Sequence, residues 1–403
     1  MAVASCDLLP PMPKRRPSAV ATMGPMPDVQ SFVEMFATLP DPRVHRTRVH
    51  RLETILFLCL CAVICGANDP VAIQRFGESR REFLGQFVDV SAGIPSHDTI
   101  GRVLAKLNPH KLEAMFAAWM SAVAKAIGEG VVAIDGKTLR RAFDKGRDRG
   151  FVHMVSAWST ANGVVLGQVA TSEHSNEITA IPRLLELLQL NGCLVTIDAI
   201  GCQTEIVNAI VDGGADYLIS VKDNQPKLNA AVMDAFDREL EPRRWHPDAY
   251  TETVHTKNAH GRTEIRRCWV LDVDDSFSER ARWKNLAKIV YVERECTIGT
   301  ETTTGMRLFI TSRGSLTAEQ ALAAVRSHWE IENKLHWTLD VAFREDDSRL
   351  RAENAAENLA VVRHIALNLL RSVKGSKVGV RNRRLEAGWN ESFLMRVLAA
   401  HAN

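Results

Sequence analysis

Two short apolar runs, Val131-Val132-Ala133-Ile134 and Leu194-Val195-Thr196-Ile197, each end on an aspartate, Asp135 and Asp198. Unbroken aliphatic runs of this length suit strands buried on both faces, and they point to an α/β fold. Taken singly, each aspartate has an ordinary explanation: Asp135-Gly136 makes a turn, and Asp198 caps the helix that follows. Taken together they need another, because two carboxylates held close repel unless a cation joins them. Hard divalent cations such as Mg2+ take oxygen ligands and offset the cost of burying carboxylate charge.

The order of the elements decides whether the two aspartates meet. After Val131 to Asp135, the pattern predicts strands over Val152 to Trp158 and Val164 to Ala170, joined by an Asn162-Gly163 hairpin turn. A helix over Glu177 to Leu190, a strand over Cys193 to Asp198, a helix over Gln203 to Val211 and a strand over Tyr217 to Lys222 follow. A three-strand meander followed by alternating helix and strand is the order of a ribonuclease-H-like core. In such a core the first and fourth strands are neighbours. Asp135 and Asp198 are therefore expected on one rim, where ligands of α/β sheets bind.

Helical phase selects a third carboxylate. Thr317 and Gln320 stand at capping-box spacing, and the helix they open is expected to reach Asp340, with Leu322, Val325, Trp329, Leu335 and Leu339 on one face. Glu332 shares that phase, which makes it a buried glutamate and leaves Glu330 on the solvated side. His328 and His336 flank Glu332 on nearly the same face. Because Mg2+ prefers oxygen, both are read as phosphate contacts or as partners of the ligands.

Composition excludes more than it assigns. A chain of 403 residues, 46% of them hydrophobic, has room for two or three domains, and a formal net charge of +2 is not that of a histone-like polycation. Affinity for nucleic acid would come from local patches at Arg43 to Arg51, Lys137 to Arg149 and Lys374 to Arg384, each of which alone is also what a solvated face looks like. The eight cysteines follow neither a zinc spacing nor an extracellular framework, which fits a cytoplasmic protein. Ile55 to Cys65 is far short of the ~20 residues that span a bilayer and reads as a core helix. Residues 1–28 read as a flexible tail without a signal-peptide pattern. From 29 to 127 the spacing is helical throughout, an all-α segment ahead of the strand-rich remainder. Within it Thr99, Arg102 and Lys106 project from the helix Ser96 to Lys106, which either reads DNA or packs on its neighbours.

The residues around Glu332 carry a resemblance. The string His328-Trp329-Glu330-Ile331-Glu332-Asn333-Lys334-Leu335-His336-Trp337-Thr338-Leu339-Asp340-Val341-Ala342-Phe343-Arg344-Glu345-Asp346 resembles the DDE transposases of the H-repeat-associated insertion-sequence family. Ala133-Ile134-Asp135-Gly136-Lys137 and Val221-Lys222-Asp223-Asn224-Gln225 are similar too, and the segment from about 30 to 120 resembles the helical domain associated with that branch. The resemblance implies a catalytic domain over 128–403 in which Asp135, Asp198 and Glu332 hold two Mg2+ ions, or Mn2+, with Asp135 bridging both. It also implies cleavage at the terminal inverted repeats of an element and strand transfer into double-stranded target DNA, with a homodimer pairing the two ends near the nucleoid. Many related transposases carry a Tyr-Arg-Glu-Lys signature; aligned on Glu332, its other places hold Val325, His328 and Leu339. The grip on the terminal phosphate is therefore sought in His328, Lys334 and Lys222, with Lys137, Arg262, Arg266 and His336 as further DNA contacts.

Between Asp223 and Thr311 lies a stretch too long for a loop. Strand-like runs at Thr263 to Val273, Ala287 to Arg294 and Met306 to Thr311 predict a β-rich insertion over about 224–312. Trp245, Trp269 and Trp283 are candidates to stack on a flipped base there, although strand tryptophans are more often core. The alternatives to a transposase are a metal-dependent nuclease on the same core and a non-catalytic DNA-binding remnant. The complete carboxylate set and the helical patterns at Ala355 to Leu370 and Glu391 to Ala400 speak against decay.

Overall fold

The computed structural model describes residues 29–141, 152–171, 177–239, 250–259 and 261–399. The tail 1–28, the basic residues Lys145 to Arg149, Trp245 and His260 lie outside the described residues. Strands β1 (Val131–Leu139), β2 (Val152–Ser159) and β3 (Val164–Ala170) form an antiparallel meander. Gly163 turns the second hairpin at a φ of 67°, a conformation glycine adopts without steric cost. β4 (Leu194–Ile197) then pairs parallel with β1, and β5 (Asp216–Val221) parallel with β4. Parallel pairing needs crossovers, and the helices α7 (Glu177–Leu187) and α8 (Thr204–Asp212) supply them. The expected adjacency of the first and fourth strands is present.

The region between residues 224 and 312 holds more than the sequence pattern predicts. It opens with helix α9 (Pro226–Glu239) and contains four strands: β6 (Tyr250–Ala259), β7 (Arg262–Asp272), β8 (Lys288–Ile298) and β9 (Glu301–Thr311). β9 pairs antiparallel with β5, so these strands extend the same sheet, in the order β3-β2-β1-β4-β5-β9-β8-β7-β6. The outcome is a mixed α/β fold around one large mixed sheet. Trp283 is 1% exposed and belongs to the core, which removes it as a stacking surface; Trp269 is half-buried, edge-on to Tyr291.

Helices α1 (Val29–Ala37), α2 (Leu52–Ile64), α3 (Pro70–Ser79), α4 (Arg81–Leu84), α5 (His97–Lys106) and α6 (Pro109–Ala126) precede the sheet. Short polar residues start three of them: Asp69 accepts from the Ala72 N–H ahead of α3, Ser96 from the Thr99 N–H ahead of α5, and Asn108 from the Lys111 N–H ahead of α6. After the sheet come α10 (Ala318–His328), α11 (Trp337–Phe343), α12 (Ala355–Ser372), α13 (Val380–Trp389) and α14 (Glu391–Leu398). α12 is buried from Ala355 through Leu370 and packs on α2, α5, α6 and β3, so the early helices and the sheet share one apolar core. Two of its asparagines bond neighbouring backbone: Asn358 donates to the Leu104 and Leu107 carbonyls, and Asn368 bonds the Val165 backbone in both directions. Among the described residues no helix is long and apolar enough to cross a membrane.

Two basic patches prove partly structural. Arg384 is 3% exposed and donates to the Val63 carbonyl, while Arg383 donates to the Leu370 carbonyl in the last turn of α12 and to the Ser376 carbonyl beyond it. Arg43 and Arg48 turn back on Asp41. On α5, Arg102 and Lys106 remain exposed.

Candidate active site

Register brings the two aspartates together. Ile134 lies opposite Ile197 in the parallel β1–β4 pair, so the next residue on each strand, Asp135 or Asp198, sits at the same level of the rim. β1 runs on along β2, whereas β4 stops and Asp198 caps a short turn, accepting from the Ile200 N–H at 3.0 Å. The capping role and the site role are thus compatible, one oxygen serving each. Asp135, Asp198 and Glu332 line one cavity of about 300 Å³, with Lys222 and His328 also in its wall.

Glu332 arrives by a route the helical pattern does not predict. The expected continuous helix from Thr317 to Asp340 is broken: the capping box at Thr317 and Gln320 is present, but α10 ends at His328, and Ile331–His336 winds as a π-helix before α11. In that wider turn the Trp337 N–H reaches back to the Glu332 carbonyl. Through this turn Ile331, Leu335 and Leu339 are buried and Glu332 points outward, while Trp329, at the end of α10, is also exposed. The expectation of a buried Glu332 is therefore corrected, its side chain being 58% exposed. Glu330 is the more covered of the two and pairs with Lys334 at 2.8 Å.

His336 ties this turn to β1. Its Nδ1 lies 2.8 Å from Glu332 Oε2 and 3.7 Å from Asp135 Oδ2, and the ring is 4% exposed. A DNA contact is excluded by that burial; His336 is a partner of the carboxylates. Its hydrogen bond holds the Glu332 carboxyl below the usual range. Burial pushes the Asp135 carboxyl up to about 6, with His336 opposing and Asp198 and Glu177 adding to the rise. Asp135, Glu332 and His336 offer ligand atoms that all lie within 4.8 Å of one another. Two carboxylates and one imidazole so placed could hold a hard or borderline divalent cation, and Asp198 lines the same cavity. His328 is nearly buried, bonds Thr196 Oγ1 through Nδ1 at 3.1 Å and is held below the ordinary histidine range by burial. It thus forms neutral wall rather than a cationic phosphate grip.

A family model for the transposase DDE domain matches residues 127–369, and a second, described as DDE_Tnp_1-associated, matches residues 33–120. The chain belongs to the DDE transposase family. It is 42% identical to the "H repeat-associated putative transposase YhhI" of Escherichia coli K12, over 92% of this chain and 98% of that one. It is 40% identical to the "Putative transposase YncI" of Escherichia coli O157:H7, over 92% and 95% of the two chains. A shorter relative, "Inactive transposase YbfQ" of Escherichia coli K12, is 42% identical over 20% of this chain and 94% of its own length.

The other cations that the DDE transposase resemblance singles out are dispersed. Lys137, two residues beyond Asp135 on β1, is only 10% exposed and is held by Asp340 at 2.7 Å, Asp346 at 3.0 Å and Glu345 at 3.3 Å. It is therefore an internal counter-ion and not a DNA-facing cation. Arg266 lines a neighbouring cavity with Arg294 and Arg307 and pairs with Glu264 at 2.7 Å. Arg262 is exposed at the start of β7, and Lys334 is exposed beside Glu330. Two parts of this DDE-family site are absent from the sequence reading. Arg307 lies over the Trp329 ring, 4.6 Å from its centroid, at the cavity wall. Glu177, at the start of α7, is half-buried beside Asp135 and Asp198; burial, then Asp198, raises its carboxyl. Neither has a local sequence signal, since both are brought in by sheet order.

Proposed function

We propose that this chain is a DNA transposase that cuts phosphodiester bonds at the ends of an insertion sequence and joins those ends to target DNA. The observation that carries the reading is the convergence of Asp135, Asp198 and Glu332 on one cavity, from two adjacent parallel strands and a distant π-helical turn. The strand order β3-β2-β1-β4-β5 supports a ribonuclease-H-like core within 128–403. β6 to β9 support its β-rich insertion, and α1 to α6 a DNA-binding helical segment over 29–127.

Asp135, Asp198 and Glu332 would hold two Mg2+ ions, or Mn2+ in their place. Bound there, such ions supply Lewis-acid stabilisation of the attacking and leaving oxygens in an in-line displacement. His336 donates to Glu332 and keeps that carboxylate ionised and turned to Asp135. Lys222, exposed at the cavity, sets a positive charge where a phosphate enters. Arg307 stacked on Trp329 presents a second cation on a flat apolar surface. Arg262 and Lys334 are placed to meet flanking backbone, and pairing of two ends calls for a homodimer in the DNA complex.

The test is incubation of the full chain with Mg2+ or Mn2+ and a duplex carrying the element's own terminal repeat. Cleavage and joining that vanish in Asp135→Asn, Asp198→Asn and Glu332→Gln are expected. Cutting without joining would identify a nuclease, and metal-independent binding alone a remnant. Lys222→Ala is expected to weaken terminal-repeat binding and to lower the salt dependence by about one released counter-ion.

A further inference from the structure

Helix α10 covers one face of strands β7 to β9, but only along part of its length. Val270, Val290 and Phe309 of that face are buried in one apolar cluster with Leu322 and Val325 of α10. Residues two apart on a strand share a face, so Arg266 of β7, Arg294 of β8 and Arg307 of β9 continue the same surface. α10 ends at His328, and there the sheet face turns from apolar to basic. Arg266 stands directly opposite Arg294, and Arg307 opposite Val292. Like charges placed directly opposite each other cost stability. Glu264, 4% exposed, offsets part of that cost by pairing with Arg266 at 2.7 Å and Arg294 at 2.5 Å, which holds the two guanidinium groups side by side. Together with Arg307 and Arg326 they line a cleft of about 390 Å³ in which Glu264 is the one acidic lining residue. Gly305, across from Arg294, keeps the cleft wide, since a Cβ there would meet nothing within 4 Å. Arg307, Val325 and Trp329 line both this cleft and the catalytic cavity, so the basic surface starts at the carboxylate site. Trp329 stays 46% exposed even with Arg307 over its ring.

We propose that this cleft binds a few nucleotides of one unpaired DNA strand leading out of the catalytic cavity. The inference rests on the DNA reading of the site and names the form of DNA that its open end accepts. Four guanidinium groups facing one carboxylate leave positive charge that a phosphate backbone matches. The exposed indole among them decides between strand forms. A basic groove with an aromatic platform suits a single strand, whose free bases stack while its phosphates meet the cations. A duplex keeps its bases paired and would offer this cleft only phosphate and sugar, leaving Trp329 without a partner. The volume of the cleft is also that of a pocket for a small ligand, which fits single nucleotides rather than a double helix.

The test is fluorescence anisotropy of the full chain in metal-free buffer over a series of salt concentrations. Three labelled DNAs are compared: an oligothymidine of about 12 nucleotides, within the usual span of single-strand sites, a blunt duplex of unrelated sequence, and the terminal-repeat duplex. Arg307→Ala is expected to lower the log–log salt slope for the oligothymidine by about 0.7, the share of one phosphate contact on a single strand. Trp329→Ala should weaken oligothymidine binding by about fivefold or more, the scale of one lost stacked base, and Trp329→Phe should keep most of it. Binding of the blunt duplex should stay as in wild type. Arg307 and Trp329 are both exposed, so melting temperatures should not change; if either variant melts lower, Arg326→Ala at the exposed end of α10 decides in its place by the same salt slope. Oligothymidine binding unchanged in these variants, with the terminal-repeat duplex bound by wild type, would overturn the cleft and leave the DNA reading standing. Equal losses for oligothymidine and blunt duplex would assign the cleft to duplex backbone and overturn the proposal. Wild type that binds none of the three DNAs would overturn the DNA reading and this inference with it.

Discussion

Two acidic clusters share the end of β1, and they deal with repulsion in opposite ways. Around Lys137, the carboxylates of Asp340, Glu345 and Asp346 converge on one ammonium, and buried Glu345 also faces Arg363 at 3.6 Å. Burial works to raise the Glu345 carboxyl, yet Lys137 and Arg363 hold it below the usual range. Around Asp135, burial prevails and the carboxyl rises to about 6, although His336 is adjacent. Residues two apart on a strand point to the same face, so Lys137 starts on the side of the sheet where Asp135 lacks a counter-charge. The fold draws that lysine into the other cluster. One cluster is closed with the chain's own cations, and the other could hold a divalent cation.

The comparison breaks most visibly if Asp135 is dispensable. Asp135→Asn is expected to reduce cleavage of a terminal-repeat duplex by on the order of a thousandfold or more, since metal stabilisation of the transition state is worth several kcal/mol. A gel-based cleavage assay reads this directly, and near-wild-type cutting would place the chemistry elsewhere. Next in size is the closed cluster. Lys137→Met leaves three carboxylates facing one another with Glu345 fully covered, and breaking a buried pair in this way costs roughly 3–5 kcal/mol. Denaturant unfolding should show that loss, with part of it restored by adding Glu345→Gln. A loss below about 1 kcal/mol would mean that the lysine is no better placed than a surface ion pair.

What was legible in the sequence follows from the range of the interaction. Asp135 and Asp198 are readable because unbroken aliphatic runs mark buried strands, and the meander-then-crossover order makes those strands neighbours. Glu332 stands out by a period that the chain does not keep, since the π-helical turn at Ile331–His336 changes the phase and Glu332 is exposed. Nothing in a simple periodicity marks that turn. β6 escapes the pattern because an outermost strand needs no continuous apolar face, and Tyr250–Ala259 is mostly polar. Lys137 looks like a free cation beside other cations until the fold delivers Asp340 from 203 residues away.

The smallest predicted effect separates the two clusters by the sign of their pH response. Asp135 has a raised carboxyl, at about 6 against an ordinary 3.8, so the folded chain binds the extra proton between those values. The stability this group contributes is complete below pH 3.8 and is lost as pH rises through about 6. His364, buried in α12 near Lys137 and Arg363, behaves oppositely: burial lowers it from 6.5 to about 4. Its contribution is complete above pH 6.5 and is lost as pH falls toward about 4. Each shift corresponds to roughly 3 kcal/mol, at about 1.4 kcal/mol per pH unit. In metal-free wild type the two contributions nearly cancel across that interval. Asp135→Asn removes one of them, so the variant should gain up to about 3 kcal/mol near neutrality and lose stability steeply on acidification. Wild type saturated with Mg2+ should follow the same acid-sensitive course, because ligation requires the ionised carboxylate. Unfolding curves at a series of pH values, with and without Mg2+, test this; coincident profiles for metal-free wild type and Asp135→Asn would show that Asp135 carries no unbalanced charge.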